Sequence, residues 1–316
     1  MAEKQFDLIA CGEALVEFNL IEGPPYYPDV AGDAINSLYY AARLGLRTSF
    51  LSAVGEDRLL PFVEAALTEE GIDGSCVYIF EERPNGIYFV DAKQDGSHTF
   101  RFCREGTAAT QLFTELSSED VTQIIDSSEA FLFSAIPMAV MVESSRLAHA
   151  VCDYRGDTLV GFDLNIRKSL WPKLDQLQSW MRMLGEGVEY LFVSSEDHET
   201  LYPNVPLDQA IEHYADLGFG TVVLRHGGDS TEYFDDGRIG QVPTASVTVL
   251  DTTGAGDAFN AGFFKARLEG ASVQDSVAYG NATAACAVEG IGGRAKQFSR
   301  NRVEELLMSI NEARDV

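Results

Sequence analysis

Apolar residues fall along this chain in two alternating patterns, short near-continuous runs and longer stretches with helical period. The runs predict strands over 6–11, 48–54, 130–133, 159–164, 190–193, 221–224 and 245–250. The periodic stretches predict helices over 33–44, 59–70, 140–154, 174–184, 207–217 and 259–268, with a late helix ending near Gly290. In the first of these Ile35, Leu38, Tyr39 and Ala42 share a face and Gly45 closes the end, while Pro61 is tolerable in the first turn of the second and Gly71 lies just beyond it. Such alternation implies a mostly parallel sheet covered by helices, with ligands outside the carboxyl ends of the strands. Two stretches break it. Residues 15–30 are rich in aromatics and proline, and 86–102 alternates like two strands around Gln94-Asp95-Gly96-Ser97. They predict a small separate sheet, either a lid over the strand ends or a surface hairpin without a role. The expected division is a main α/β domain from 1–14, 31–85 and 105–316, and a small β lid from 15–30 and 86–104.

Composition narrows the functions. A length of 316 residues and 46% hydrophobic content suit one large α/β domain with an insertion or two smaller domains. No run approaches the roughly 18 apolar residues of a membrane span, and the N-terminus lacks a signal-peptide pattern, so a cytoplasmic location is expected. Cys11, Cys76, Cys103, Cys152 and Cys286 are odd in number without C-x-x-C spacing, which predicts reduced thiols, and the five scattered histidines predict no bound transition metal. A formal net charge of −26 repels nucleic acid and anionic membrane, so neither is an expected partner. The same field opposes ATP and acidic substrates, so each arginine in a candidate site becomes more informative.

The segment Asp251-Thr252-Thr253-Gly254-Ala255-Gly256-Asp257 separates the predicted strand 245–250 from the helix that follows. Small residues let backbone approach a ligand, and the first N–H groups of a helix point outward without intrahelical partners, which makes an anion site. Asp257 at its edge could accept a proton from a hydroxyl that attacks phosphate. An ordinary glycine turn with an acidic residue at a helix N-terminus gives the same pattern, so the turn alone leaves both readings open. P-loop chemistry is excluded, because no Gly-Lys dipeptide occurs, and no His-Arg-Asp or Asp-Phe-Gly string supports a protein-kinase arrangement.

The longer string from Asp251 to Gly262 closely resembles the C-terminal signature of the ribokinase-like, or PfkB, carbohydrate kinases. Ala31-Gly32-Asp33-Ala34-Ile35-Asn36, Leu44-Gly45 and Ala53-Val54-Gly55-Glu56-Asp57 are similar to that family's N-terminal pattern, with Ala31 where its first Gly usually stands. The resemblance implies a ribokinase-like three-layer α/β fold with a small β-sheet lid. It implies Asp257 as catalytic base, Gly254, Ala255 and Gly256 as the anion hole, and Gly32, Asp33 and Asn36 as sugar-binding residues. Within the family the likeness is greatest to the 2-keto-3-deoxygluconate kinases. Thr99-Phe100-Arg101-Phe102-Cys103-Arg104 resembles their lid run, with Arg101 in place of an aromatic, and puts Phe102 and Arg104 at the sugar acid, joined by Tyr88. A guanidinium suits a carboxylate because it donates two parallel bonds.

Phe162-Asp163-Leu164-Asn165-Ile166-Arg167, followed by Leu170-Trp171-Pro172, is similar to a segment shared with fructokinases, which implies Arg167 at the substrate or the transferred phosphate and Asn165 at the ATP phosphate or its hydrated magnesium. The ATP site implied by the family further takes Ser194, Arg225, Gly227, Gly228 and Asn281. Mg²⁺ arrives with ATP, with Asp251 or Asp197 as the carboxylate that meets it through water. Ser194-Ser195-Glu196-Asp197 departs from the family's Asn-x-x-Glu motif at both ends. The implied activity is ATP-dependent phosphorylation of 2-keto-3-deoxygluconate at its 6-hydroxyl. Fructokinase or another family sugar kinase is the alternative, and a non-catalytic sugar-binding regulator the remote one. The open edge of the lid sheet is where a homo-oligomer would form.

Overall fold

The computed structural model describes residues 4–20, 27–92 and 98–314. Its strands, in chain order, are β1 (Phe6–Cys11), β2 (Leu15–Leu20), β3 (Tyr27–Ala31), β4 (Thr48–Gly55), β5 (Ile72–Asp73), β6 (Val77–Phe80), β7 (Gly86–Ala92), β8 (His98–Cys103), β9 (Ser128–Ser134), β10 (Leu159–Asp163), β11 (Tyr190–Ser194), β12 (Thr221–Arg225), β13 (Ser230–Asp235) and β14 (Arg238–Pro243). The large sheet runs β14-β13-β12-β11-β10-β9-β1-β4-β5, with β6 also paired to β4. Among the described residues pairing is parallel from β5 through β12, and antiparallel where β13 joins β12 and β14 joins β13 at one edge. β1 is central, with Leu8 opposite Thr48 of β4 on one side and Ala130 of β9 on the other.

The period of two along β1 sorts its side chains into two cores. Leu8 and Ala10 join one cluster with Tyr39, Phe259 and Phe263, whereas Ile9 and Cys11 join another with Phe131, Phe133 and Phe162. Each large apolar side chain enclosed in this way stabilises the fold by roughly 1.5–3 kcal/mol relative to exposure. The helices Asp33–Arg43, Ala255–Leu268 and Val273–Val288 cover the first face. The helices Ser145–Asp153 and Leu174–Leu184 cover the second. Small residues permit the close packing of Ala255–Leu268 on Val273–Val288, since a Cβ on Gly262 would lie 2.2 Å from the Thr283 hydroxyl. No helix among the described residues is long and apolar enough to cross a membrane.

A second sheet of four strands, ordered β3-β2-β7-β8, combines a parallel pair β2–β7 with two antiparallel pairs. Leu15, Tyr88 and Val90 form its own small core. The turn expected at 94–97 lies outside the described residues.

Three elements differ from the sequence pattern. The apolar run 245–250 is not a strand; it follows β14 as an extended segment in which Leu250 donates to the Val288 carbonyl at 2.8 Å. Without a neighbouring strand to shield them, Val249 and Leu250 stay 55% and 62% exposed. The expected helix 140–154 is two helices, Ala135–Val140 and Ser145–Asp153, separated where Glu143 takes φ 56°. The helix expected over 207–217 begins as a tight turn, Leu207–Gln209, before Ala210–Asp216.

Candidate active site

Three carboxylates meet where the carboxyl ends of the central strands face two helix N-termini. Asp163 ends β10, Asp33 begins the helix Asp33–Arg43, and Asp257 lies in the first turn of Ala255–Leu268. They border a small cavity of about 10 Å³ together with Asn260, Ser134 and Cys11, room for roughly one water.

The three are wired differently. Asp163 is neutralised, accepting from Arg225 Nη2 at 2.8 Å and from Asn260 Nδ2 at 2.6 Å. Asp33 Oδ2 accepts from the Ser134 hydroxyl and from Asn165 Nδ2, the latter at 3.3 Å. Removal from water pushes the Asp33 carboxyl above its ordinary range against the pull of Ser134 and the Arg167 cation. Asp257 is 8% exposed and accepts from Asn36 Nδ2 at 2.9 Å. Its burial first, and then the neighbouring Asp33, push it up to about 8, while Asn36 and Arg167 pull the other way. A buried carboxylate of that basicity is matched to taking a proton from an alcohol near neutral pH.

The turn before Asp257 holds its shape through Asp251, whose Oδ1 accepts from the Thr253 N–H at 2.9 Å and from its hydroxyl at 2.7 Å. Its Oδ2 accepts from the Gly292 N–H at 2.8 Å, tying the turn to the loop after Val273–Val288. Gly254 is left-handed at φ 76°, and a Cβ there would sit 2.5 Å from the Gly293 carbonyl oxygen, so glycine is required twice over. Of the three expected anion-hole amides, Ala255 donates to the Thr252 carbonyl at 3.2 Å, whereas Gly254, Gly256 and Asp257 have no backbone acceptor among the described residues. The open donors therefore include Asp257 in place of Ala255. Gly256 does not border open space on its side-chain side, where a Cβ would meet Arg225 Nη1 at 3.0 Å.

This geometry, an open glycine turn with a buried carboxylate in the first helical turn after it, under the strand ends, agrees with a match to the pfkB family carbohydrate kinases that spans residues 2–298. The chain belongs to the pfkB carbohydrate kinase family. It is 29% identical over 320 residues to a 2-dehydro-3-deoxygluconokinase of Thermoproteus tenax, covering 98% of this chain and 96% of that one. A 2-dehydro-3-deoxygluconokinase of Escherichia coli K12 is 27% identical over 291 residues, covering 88% and 93%. In fold it is similar to a fructokinase with bound ATP from Xylella fastidiosa, with a TM-score of 0.83 at 20% identity over 96% of this chain and 98% of the other.

In this pfkB kinase the expected residues Gly32, Asp33, Asn36, Asn165, Arg167 and Asp257 form one group. Gly32, at φ 151°, passes so close to Glu13 that a Cβ would lie 2.2 Å from its carbonyl oxygen. Asn165 takes φ 31°, which turns its amide toward Asp33. Arg167 is exposed, acts on both Asp33 and Asp257, and forms no ion pair among the described residues. Tyr88 and Phe102 stack with ring centroids 5.1 Å apart, and the Arg104 guanidinium lies 4.3 Å from the centre of the Phe102 ring. Phe102 and Arg104 edge a cleft of about 500 Å³ with Asn85, Ile87 and Thr107, whereas Tyr88 is buried behind them.

Other expected residues are engaged inside the fold. Arg225 spans Asp163, the Gly256 carbonyl at 3.2 Å and Asn260 Oδ1 at 3.3 Å, so it braces the helix start from behind. Asn281 is buried, accepting from the Thr231 hydroxyl at 2.7 Å and donating to the Pro243 carbonyl at 3.1 Å. Both ends of its amide are thus spent on β13 and β14 rather than offered to a nucleotide. Ser194 caps the helix Ser195–Leu201, and Asp197 accepts from the Ser194 hydroxyl at 2.7 Å and the Ile166 N–H at 2.8 Å. Gly227 (φ 62°) and Gly228 form the turn between β12 and β13.

Sequence reasoning missed Ser134, Asn260 and Glu13 and left Asp163 without a role. Asp163 stood in a quoted motif at a predicted strand end, the position where ligands gather. Glu13, 2% exposed and 3.0 Å from Arg104, offered only the neighbouring Gly12 as a sign that backbone is crowded there.

Proposed function

We propose that this pfkB kinase transfers the terminal phosphoryl group of ATP to the 6-hydroxyl of 2-keto-3-deoxygluconate, the sugar acid also called 2-dehydro-3-deoxygluconate. The observation that carries the phosphoryl-transfer part is Asp257, buried beside open backbone amides and raised to about 8. The sugar-acid part rests on Arg104 at the cleft and on the two relatives whose names specify that substrate.

The residues present fit a nucleotide. The left-handed Gly254 and the open amides of Gly254, Gly256 and Asp257 suit a phosphate, and the helix N-terminus favours negative charge there. Val249 and Leu250, with Ile291 at 77% exposure, give an apolar surface beside the turn for a flat base, a part first expected of Asn281. For Mg²⁺ the fit is indirect. Both oxygens of Asp251 and of Asp197 already accept hydrogen bonds, and no group of three potential ligands occurs among the described residues. An ion carried on the nucleotide phosphates would supply charge neutralisation, meeting these carboxylates through water.

Asp33 and Asn36 hold the sugar hydroxyls, Asn36 also aiming the Asp257 carboxylate. Asp257 takes the hydroxyl proton as that oxygen attacks the phosphoryl group. The amides and the free Arg167 stabilise the charge that develops, at a site where excluded water strengthens each interaction. The small sheet, as a lid, brings Tyr88, Phe102 and Arg104 over the sugar and closes it from water.

A coupled ADP-release assay over a panel of sugars and sugar acids tests the reading. 2-Keto-3-deoxygluconate should give the highest kcat/KM and a 6-phosphate product. Highest turnover with fructose would return the fructokinase reading, and ADP release with no panel member would support the non-catalytic regulator.

A further inference from the structure

Arg104 is not free in the unliganded protein. Its Nη1 lies 3.0 Å from Glu13 Oε2, with the arginine side chain 15% and the glutamate 3% exposed. The pair is in contact but its directional bonding is unused: neither Glu13 oxygen, nor Nε or Nη1 of Arg104, makes a hydrogen bond. The ring of Phe102 fixes the guanidinium plane from one side, and Arg104 also lines the open cleft. A buried ion pair with unspent donors and acceptors is costly unless another group completes it.

We propose that Glu13 is a positioning residue that holds Arg104 beneath the lid and sets how strongly that arginine selects an acid over a neutral sugar. This rests on the sugar-acid reading above. The guanidinium edge on the cleft is the one a ligand carboxylate would meet, since the unspent Nε and Nη1 are themselves buried. The ligand then brings a second negative charge to an arginine that Glu13 already neutralises. Two groups face Glu13, Arg104 from the end of β8 and Asp33 from the helix start, and burial with Asp33 outweighs Arg104 to push it up to about 7. An arriving carboxylate pushes it higher still, so an acid bound above that pH must be accompanied by a proton on Glu13. Acid selection is therefore full below about pH 7 and weakens as pH rises through it. Neutral sugars bring no such charge.

The test is the ratio of kcat/KM for 2-keto-3-deoxygluconate to that for fructose, measured from pH 6.5 to 8.5 in wild type and in Glu13→Gln. Titration of Asp257 and Asp33 is common to both sugars and divides out of the ratio. In wild type the ratio should fall by up to about 25-fold over that interval, the limit of one proton taken up per acid bound when the free value is near 7. In Glu13→Gln, neutral at every pH and of the same size, it should stay flat and exceed the wild-type value at pH 8.5. The same slope in both proteins, or equal changes for both sugars, overturns the proposal. A wild-type ratio below one at every pH defeats the sugar-acid reading as well, so the two failures are distinguishable. Should Glu13→Gln fail to melt cooperatively, Glu13→Asp keeps the charge but shortens the reach: KM for the acid should rise several-fold with kcat within about twofold and the pH slope retained. An unchanged KM there also overturns it.

Discussion

Replacing Asp257 by Asn removes the proposed base while keeping the volume, and its effect on stability follows from the same burial that raises its carboxyl. The carboxyl is raised from 3.8 to about 8, so the folded protein holds this proton long after the unfolded chain has lost it. Because the folded value is the higher one, the contribution to stability is complete below about pH 3.8 and is lost as pH rises through about 8. Between pH 6 and pH 8 the wild type should lose roughly 2 kcal/mol that the Asn variant does not lose. With an unfolding entropy of about 2.1 cal/mol/K per residue, that is a melting-temperature gap that widens by ~3 °C over the interval. Calorimetric melts of both proteins at the two pH values measure it. Single-turnover kinetics with titrated ATP measure the other side, where kcat should drop by ~10²–10⁴ with ATP binding largely intact. A variant with more than about half of wild-type kcat, or a melting gap independent of pH, would refute the assignment of Asp257 as a buried base.

Asn36→Leu removes the amide that donates to Asp257 at 2.9 Å, so the pH at which kcat/KM reaches half its maximum should move upward, and a profile that stays in place would separate Asn36 from the base. Gly254→Ala forces a side chain into a left-handed residue 2.5 Å from the Gly293 carbonyl, and melting should show a loss of ~1–3 kcal/mol together with a raised KM for ATP. Gly256→Val meets Arg225 rather than open space, so turnover should fall further than the folded fraction does, and a fall in proportion to that fraction would make the turn structural only.

The alternation of apolar runs and helical periods was enough to place the central strands, because a strand buried on both faces must be apolar throughout. It failed at the sheet edge. β13 and β14 are half-exposed and polar, and the signal there was the turn, where Asp236 and Gly237 both take positive φ, 46° and 74°, as a tight hairpin requires. The opposite error occurred at 245–250, where an apolar run that reads as a strand instead presents Val249 and Leu250 to solvent beside the anion turn. Periodicity alone does not distinguish an apolar run that packs into a sheet from one left at the surface. At the site, the backbone turn was legible because glycine spacing encodes it. The couplings between side chains remote in sequence were not, since Asn36 to Asp257 joins two helix starts and Glu13 to Arg104 joins a loop to the end of a strand.

The central claim, that this kinase acts on a sugar acid held by Arg104, is tested most directly by comparing kcat/KM for 2-keto-3-deoxygluconate and fructose in wild type and in Arg104→Ala. The comparison should be made below pH 7 and at matched ionic strength, since screening weakens exposed charge effects. Wild type should prefer the acid, and Arg104→Ala should lose roughly 2–4 kcal/mol of transition-state stabilisation for it while losing far less for fructose. A wild-type preference for fructose, or an acid-to-neutral ratio that Arg104→Ala leaves unchanged, would contradict the claim.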